Sequence, residues 1–280
     1  MARPAPALRV ALLVAYDGSD FAGFQSQANG RAVQDVLEAA LGRLYGAALR
    51  VRGASRTDAG VHALGQVVSF DLGDPALAGR IPLDRLPLAL DGLLPPDVRV
   101  LGARTASASF DPRRAVRKHY RYRLLVRPAP CPLRRREVWH VPPPLDLGAM
   151  ARAAAQLAGR HDFAAFAASG GRVGSTVRHL ERLEVRRACP DEVHVEAVAD
   201  GFLYHMVRNL VGTLVEVGRG RRRPEEMASL LASRRREAAG ATAPARGLCL
   251  LAVEYGPEHE GPWLRAGAGD VDASAARAIE

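Results

Sequence analysis

The chain is 280 residues long, 48% hydrophobic and 25% charged, which is the composition of a globular protein able to bury a sizeable core. No apolar run is long enough for a membrane span, and no signal peptide is recognisable. The three cysteines are widely spaced and form no CxxC pair, so they support neither a disulfide framework nor a zinc site. We therefore expect a cytoplasmic protein. The net charge of +9 and the pI near 10.3, supplied almost entirely by arginine, point to a polyanionic partner such as RNA.

The first half of the chain alternates strand-like and helix-like patterns. Residues 8–16 predict a buried strand, and apolar residues at helical spacing from Val33 to Leu44 predict an amphipathic helix that stops at Gly46. Short strands are predicted around residues 49–51 and over residues 66–71, on either side of a polar loop. A further strand is predicted over residues 98–103.

The polar loop between these strands presents a single carboxylate, Asp58, close to a glycine. Residues 53–63 read GASRTDAGVHA. Loops held by a rigid scaffold often carry catalytic groups, but an aspartate close to a glycine is also common in turns for local backbone reasons. From its own chemistry, therefore, the loop favours Asp58 as a turn residue, and a catalytic Asp58 stays the alternative.

A second series of elements begins near Phe110. From residue 120 the pattern alternates as in a strand, with Arg121 and Arg123 on one face and Tyr120 and Tyr122 on the other. An apolar stripe that starts at residue 202 marks a long helix. The remaining predicted elements are a helix over residues 147–157, strands over 177–187 and 193–198, a helix over 224–231 and a closing strand over 248–255.

Strands with about two helices in each half predict the α+β class. We expect an N-terminal α+β domain over residues 1–107, which carries the Asp58 loop, and a C-terminal α+β domain over residues 108–256. Residues 257–280 are rich in glycine and alanine and are expected to form a flexible tail.

Several short motifs follow one another along the chain in an order that one enzyme family shares. They are YDGS at residues 16–19, FAGFQSQ at 21–27, RTDAGVHA at 56–63, FDPR at 110–113, YRY at 120–122, HMVR at 205–208 and TAPARGL at 242–248. Together they resemble the tRNA pseudouridine synthases of the TruA type, over roughly residues 8–255.

The resemblance implies the pseudouridine synthase fold, in which two similar α+β domains with antiparallel or mixed sheets join around a central active-site cleft, and it implies a homodimer. It also implies an isomerase that converts uridine to pseudouridine in the tRNA anticodon stem-loop, at positions 38, 39 and 40. That reaction breaks the C1′–N1 bond and joins C1′ to C5 of the same base, so no group is gained or lost. The resemblance therefore implies no cofactor, no metal and no membrane partner.

The resemblance further implies roles for four residues. Asp58 is the nucleophile, and attack at C1′ of the ribose, attack at C6 of the base and a glycal route all remain open. Tyr120 stacks on the base and helps to move the C5 proton, unless it only packs in the core. Arg208 pairs with the catalytic aspartate, unless it is an exposed helix arginine. Arg56 fills the space left by the flipped nucleotide, unless it contacts phosphate alone.

A non-catalytic binding module and an enzyme of another class, such as a glycosidase or a base deaminase, compete with this interpretation. A non-catalytic RNA-binding module would share the basic surface, but Asp58, Tyr120 and Arg208 together favour an enzyme. A glycosidase normally needs two facing carboxylates, and Asp58 has no obvious second one. A zinc deaminase needs both an H-x-E and a C-x-x-C motif, and the sequence contains no C-x-x-C.

Overall fold

A computed structural model describes residues 8–28, 30–170 and 174–259, and the protein is of the α+β class. Within these residues no helix is both long enough and apolar enough to cross a membrane. The strands are β1 (Leu8–Tyr16), β2 (Arg52–Gly53), β3 (His62–Leu72), β4 (Val98–Ala106), β5 (Arg117–Leu125), β6 (Trp139–His140), β7 (Gly159–Asp162), β8 (Val177–Cys189), β9 (Glu192–Ala199) and β10 (Leu248–Glu254). The helices are α1 (Val33–Tyr45), α2 (Pro75–Ala78), α3 (Leu86–Asp91), α4 (Leu147–Leu157), α5 (Met206–Gly218) and α6 (Met227–Ser233).

The described residues form two compact units. The first unit contains residues 8–116 and 250–259, and the second contains residues 117–249. The part of β10 from Leu250 onward belongs to the first unit, in which β10 pairs with β3. The division into domains over residues 1–107 and 108–256 stays a prediction. Of the predicted flexible tail, Pro257–His259 form a short 3-10 turn, and residues 260–280 lie outside the described residues.

In the first unit the strand order is β4, β1, β3, β10, and the short β2 pairs with β3 at Val68 and Ser69. β1 has the predicted bounds and runs antiparallel to both β3 and β4. β3 is longer than predicted and begins at His62, because the pairing with β1 continues as far as Tyr16 opposite Ala63. β3 therefore begins directly at the end of the Asp58 loop.

The strand expected around residues 49–51 lies slightly later in the chain. Leu49 and Val51 are buried, but the paired residues are Arg52 and Gly53, which face Ser69 and Val68 of β3. Burial alone made residues 49–51 resemble a strand, whereas the ladder with β3 decides which residues pair. The predicted arrangement of a loop bracketed by two strands is confirmed.

Helix α1 confirms the predicted amphipathic helix and its end. Val33, Leu37 and Leu41 are buried along one face. Gly46 follows the helix with φ +70°, a left-handed conformation that glycine adopts without steric cost, and its N–H donates to Gly42 O over 2.9 Å. α3 packs against both α1 and β4.

The second unit is built on strands in the order β5, β9, β8, β7, all antiparallel to their neighbours, with β6 parallel to β5. The predicted alternation of β5 is confirmed. Tyr122 and Leu124 are fully buried on one face, and Arg121 and Arg123 form ion pairs on the other. α4 has the predicted bounds and packs against β8 and α5.

The arginine face of this sheet carries a compact ion-pair network around Glu192, which is 5% exposed. Arg123 Nε and His194 Nε2 each lie 2.7 Å from a Glu192 carboxylate oxygen, and Arg134 also binds this carboxylate. Burial by itself would raise the pKa of Glu192, but the hydrogen bonds from His194, Arg123 and Arg134 outweigh burial and hold the pKa well below its ordinary value of 4.5. The charged side chains on this face of the sheet are thus paired with one another.

Replacing Glu192 with Gln is expected to lower the free energy of unfolding by about 3 kcal/mol near neutral pH, because it removes the anion from a buried network. Since the folded pKa lies below 4.5, the network stabilises the fold above that pH, and its contribution is lost as the pH falls below it. In urea unfolding, the difference between wild type and E192Q should therefore shrink towards pH ~3. Exposed Glu225→Gln is the control, and an E192Q deficit that does not change with pH would contradict the expectation.

The long helix predicted from residue 202 begins only at Met206. His205 precedes the helix with φ +59° and ψ 6°, a left-handed conformation that cannot continue a right-handed helix. The apolar stripe extends back to Phe202 because the Phe202 ring packs on that of Tyr120, with the centroids 5.2 Å apart. Leu203 is 4% exposed, so buried apolar side chains also occur before the first helical residue.

Candidate active site

Asp58 lies in the hairpin loop that connects β2 to β3, and its side chain is half-buried. The N–H of Val61 donates to Asp58 O over 3.1 Å, which closes a turn around the residue. Thr57, which precedes it, is 6% exposed, whereas Arg56 is exposed. The loop therefore holds Asp58 at the boundary between the interior and solvent, with an arginine two residues before it.

A buried polar network supports the loop from below. Gln66 on β3 is 0% exposed, accepts from the N–H of Ser55 over 3.1 Å and donates to Ser55 O over 2.7 Å. Tyr16 Oη lies 2.7 Å from Thr57 Oγ1 and accepts from Gln66 Nε2 over 3.3 Å. These bonds satisfy polar groups that would otherwise be costly to bury, and they hold the backbone on the N-terminal side of Asp58.

The segment after β1 packs against the other side of the loop. The N–H of Gly18 donates to His62 Nδ1 over 3.1 Å, and Asp17 Oδ1 lies 3.1 Å from the same nitrogen. A Cβ at Gly18 would overlap the carbonyl oxygen of Val61, so only glycine allows this approach. His62 therefore connects the YDGS motif to the Asp58 loop.

Two backbone bonds join the FAGFQSQ motif to the same loop. The N–H of Phe24 donates to Thr57 O over 3.1 Å, and the N–H of Gly60 donates to Phe21 O over 3.3 Å. Because these bonds flank Asp58 on both sides in sequence, the position of the carboxylate depends on residues of a motif much earlier in the chain, Phe21 and Phe24. These bonds give a structural reason for the FAGFQSQ and RTDAGVHA motifs to occur in the same chain.

Tyr120 lies on β5 of the second unit and is 7% exposed. Its ring meets Phe202 edge to face, with the centroids 5.2 Å apart. Tyr122, two residues later on the same face, donates from its hydroxyl to Pro244 O over 2.6 Å. Burial raises the pKa of Tyr122, and the positive charges of Arg208 and Arg246 oppose that rise. Tyr120 is therefore held by aromatic packing at one end of a tyrosine-bearing face.

Arg208 occupies the first turn of α5 and is half-buried. Its Nε donates to Ala243 O over 2.8 Å, and the N–H of Ala243 donates to Arg208 O over 3.1 Å. The HMVR and TAPARGL motifs are thus joined by a two-way contact. Arg208 also acts on the pKa of Tyr122, so the second unit places this arginine near the face of β5 that carries Tyr120.

Lys118, the one lysine in the chain, lies two residues before Tyr120 and on the same face of β5. Burial lowers its pKa from 10.5 to about 8, and the nearby positive charge of Arg178 adds to this effect. Lys118 was not among the site residues predicted from the sequence. Because side chains alternate along a strand, Lys118 lies on the same face as Tyr120 two residues later, and this spacing is a sequence signal that could have identified it.

We expect the Lys118 amine to titrate near pH 8, because burial penalises its charged form. A single lysine allows direct measurement, by NMR of protein reductively methylated with a carbon-13 label. One lysine signal should then shift near pH 8 and should be missing from Lys118→Arg. Titration close to 10.5 would contradict the expectation.

Gln66 was also missed by sequence reasoning. It shares its strand face with Val68 and Phe70, both buried, so the alternation places an amide among apolar side chains. A polar residue at an inward position of a strand is a recognisable signal for a buried hydrogen-bond network. Across residues 8–28, 30–170 and 174–259, no three His, Cys, Asp or Glu side chains are grouped as metal ligands would be.

Comparisons with known proteins agree in the family that they indicate. A family model described as tRNA pseudouridine synthase matches residues 12–122 and 153–256. A tRNA pseudouridine synthase A of Moorella thermoacetica is 50% identical over 257 residues, covering 89% of this chain and all of the relative. The protein of that name from Myxococcus xanthus is 47% identical over 266 residues, covering 95% of this chain and 97% of the relative. The one from Halalkalibacterium halodurans is 47% identical over 242 residues, covering 86% and 90%.

Proposed function

The chain belongs to the tRNA pseudouridine synthase family, and from this premise we propose that it isomerises uridines in the anticodon stem-loop of tRNA with Asp58 as the nucleophile. It is an isomerase that converts uridine to pseudouridine in tRNA. The proposed target uridines are those at positions 38, 39 and 40. The observation that best supports Asp58 is its half-buried position on a loop whose backbone is held by the Gln66, Tyr16 and Phe24 contacts.

The reaction needs one well-positioned carboxylate. The C1′–N1 bond breaks, the base turns, a C1′–C5 bond forms, and the proton on C5 is lost while N1 gains one, so the atoms balance without a redox step. A carboxylate that forms a covalent adduct divides this rearrangement into easier steps. Attack at C1′ or at C6 and a glycal route are all compatible with one carboxylate, and the proposal requires only that Asp58 takes part.

The other three residues complete the proposal. Arg56 is exposed two residues before Asp58, which suits a side chain that enters RNA and occupies the space of a flipped nucleotide. Tyr120 is proposed to stack on the base and to help remove the C5 proton. Arg208 is proposed to keep the catalytic carboxylate ionised and oriented. Its Nε contact with Ala243 O supports a fixed rather than mobile guanidinium.

We propose that the enzyme is a homodimer located in the cytoplasm, and that it acts without metal. The high arginine content suits an RNA substrate, because guanidinium groups bind phosphates through two parallel hydrogen bonds. Light scattering of the purified protein would test the dimer directly. A monomer at micromolar concentration would contradict that part of the proposal and leave the chemistry untouched.

The test of the proposed function is tritium release from tRNA labelled at C5 of uridine. We expect the wild-type protein to release tritium to water, since the C5 proton leaves when C1′ joins C5. Mapping pseudouridine in the product by carbodiimide labelling and primer extension should then locate the modified positions in the anticodon stem-loop. Release from uridines elsewhere would contradict the proposed substrate region, and a lack of release from tRNA would contradict the activity.

A further inference from the structure

Tyr204 differs from the other tyrosines of this protein. Five of the six are buried, whereas Tyr204 is 45% exposed. The segment around it is well anchored, because Leu203 and Met206 are 4% and 0% exposed. The N–H of Ala168 also donates to Tyr204 O over 3.0 Å. An anchored backbone therefore presents a large aromatic ring to solvent, and core packing does not account for it.

The exposed ring is stacked on its neighbour. The rings of Tyr204 and His205 have centroids 3.9 Å apart and planes inclined by 31°. Adjacent side chains of an extended chain point to opposite sides. Here His205 adopts φ +59°, a left-handed conformation that costs free energy for a residue other than glycine. A residue in a strained conformation whose half-buried ring stacks on an exposed one is a feature often found at binding sites.

In the second unit, the ring pair lies between Phe202 and Arg208 along the chain. Phe202, two residues earlier, packs on Tyr120. Arg208, three residues after His205, lies on the first turn of α5. One short segment thus contacts Tyr120, presents the ring pair and carries Arg208.

We propose that the stacked rings of Tyr204 and His205 bind an unpaired base of the RNA, adjacent in sequence to the uridine that is isomerised. This inference rests on the proposed function. A nucleotide that leaves a stem takes a stacking partner away from its neighbours, and unstacked bases in RNA are commonly held on aromatic side chains. Every base has a π face, so such a platform tolerates different sequences. That tolerance suits an enzyme that acts at several adjacent positions.

Binding of a synthetic anticodon stem-loop RNA to the full-length protein tests the ring pair. Tyr204→Ala should bind about tenfold more weakly than wild type, whereas Tyr204→Phe, which keeps the ring, should bind like wild type. His205→Asn removes the second ring but retains a residue that tolerates the left-handed conformation, so a smaller loss is expected. Leu133→Ala is the control, since Leu133 is 92% exposed and apolar.

Abasic substrates separate stacking from a structural role. Removing the base next to the target uridine should weaken wild-type binding about tenfold and Tyr204→Ala binding hardly at all, because the contact is already missing there. The inference would be overturned if Tyr204→Ala bound the RNA as tightly as wild type. It would also be overturned if every abasic substrate weakened the RNA affinity of the two proteins equally. Tritium release is measured in parallel. If the wild-type protein is active but Tyr204→Ala binds RNA as tightly as wild type, the proposed base-binding role of the ring pair is wrong and the proposed function stands. If the wild-type protein is inactive, the proposed function itself is wrong.

Discussion

Asp58→Asn should reduce pseudouridine formation by about a thousandfold or more, because the amide has almost the volume of the carboxylate but lacks its charge and nucleophilicity. The side chain is half-buried, and the loop is held by backbone bonds of Thr57, Gly60 and Val61 and by the side chains of Gln66 and Tyr16, all of which the variant keeps. The loop should therefore keep its shape in the variant. RNA affinity should change little, so the deficit should appear in single-turnover tritium release rather than in binding.

A matched aspartate controls for the general effect of removing a charge. Asp84 is in the same unit, and its side chain is 77% exposed, paired only loosely with Arg85 at 3.7 Å. Asp84→Asn should release tritium at the wild-type rate. If Asp58→Asn kept more than about a tenth of wild-type turnover, its role as nucleophile would have to be abandoned.

The second large effect is expected at Arg208. Arg208→Ala should lower the single-turnover rate by about a hundredfold, since one preorganised, charged donor at an active site contributes that much. RNA affinity should fall far less than the rate, because one arginine among many contributes little to the electrostatic attraction for phosphate. The expected signature is a loss in kcat with a small change in KM.

Arg208→Lys separates the charge of this residue from its shape. Lysine keeps the positive charge but cannot donate through Nε to Ala243 O while presenting the rest of a planar guanidinium. We therefore expect Arg208→Lys to remain well below wild type. Arg152, an exposed arginine on α4, provides the control, and Arg152→Ala should be fully active. Equal activities for the two alanine variants would return Arg208 to the class of surface arginines.

Local patterns in the sequence were sufficient for most of the secondary structure. β1 and α4 have the predicted bounds, α1 ends at Gly46 as expected, and β5 alternates as predicted. These features depend on the spacing of apolar residues and on glycine at one turn, which act over a few neighbouring positions. The predicted site residues Asp58, Arg56, Tyr120 and Arg208 came from motifs that are also local.

The sequence by itself therefore determined the class of fold, the family and the residues to examine. Only the tertiary structure decided how those residues are supported. Gln66 reaches the Asp58 loop because β3 brings it beside Ser55, and the pKa of Lys118 is lowered because the folded chain partly removes water from its amine. His205 takes a left-handed conformation although it lies within an apolar helical stripe. Burial and strain arise from several distant segments at once, so a pattern read along one segment does not contain them.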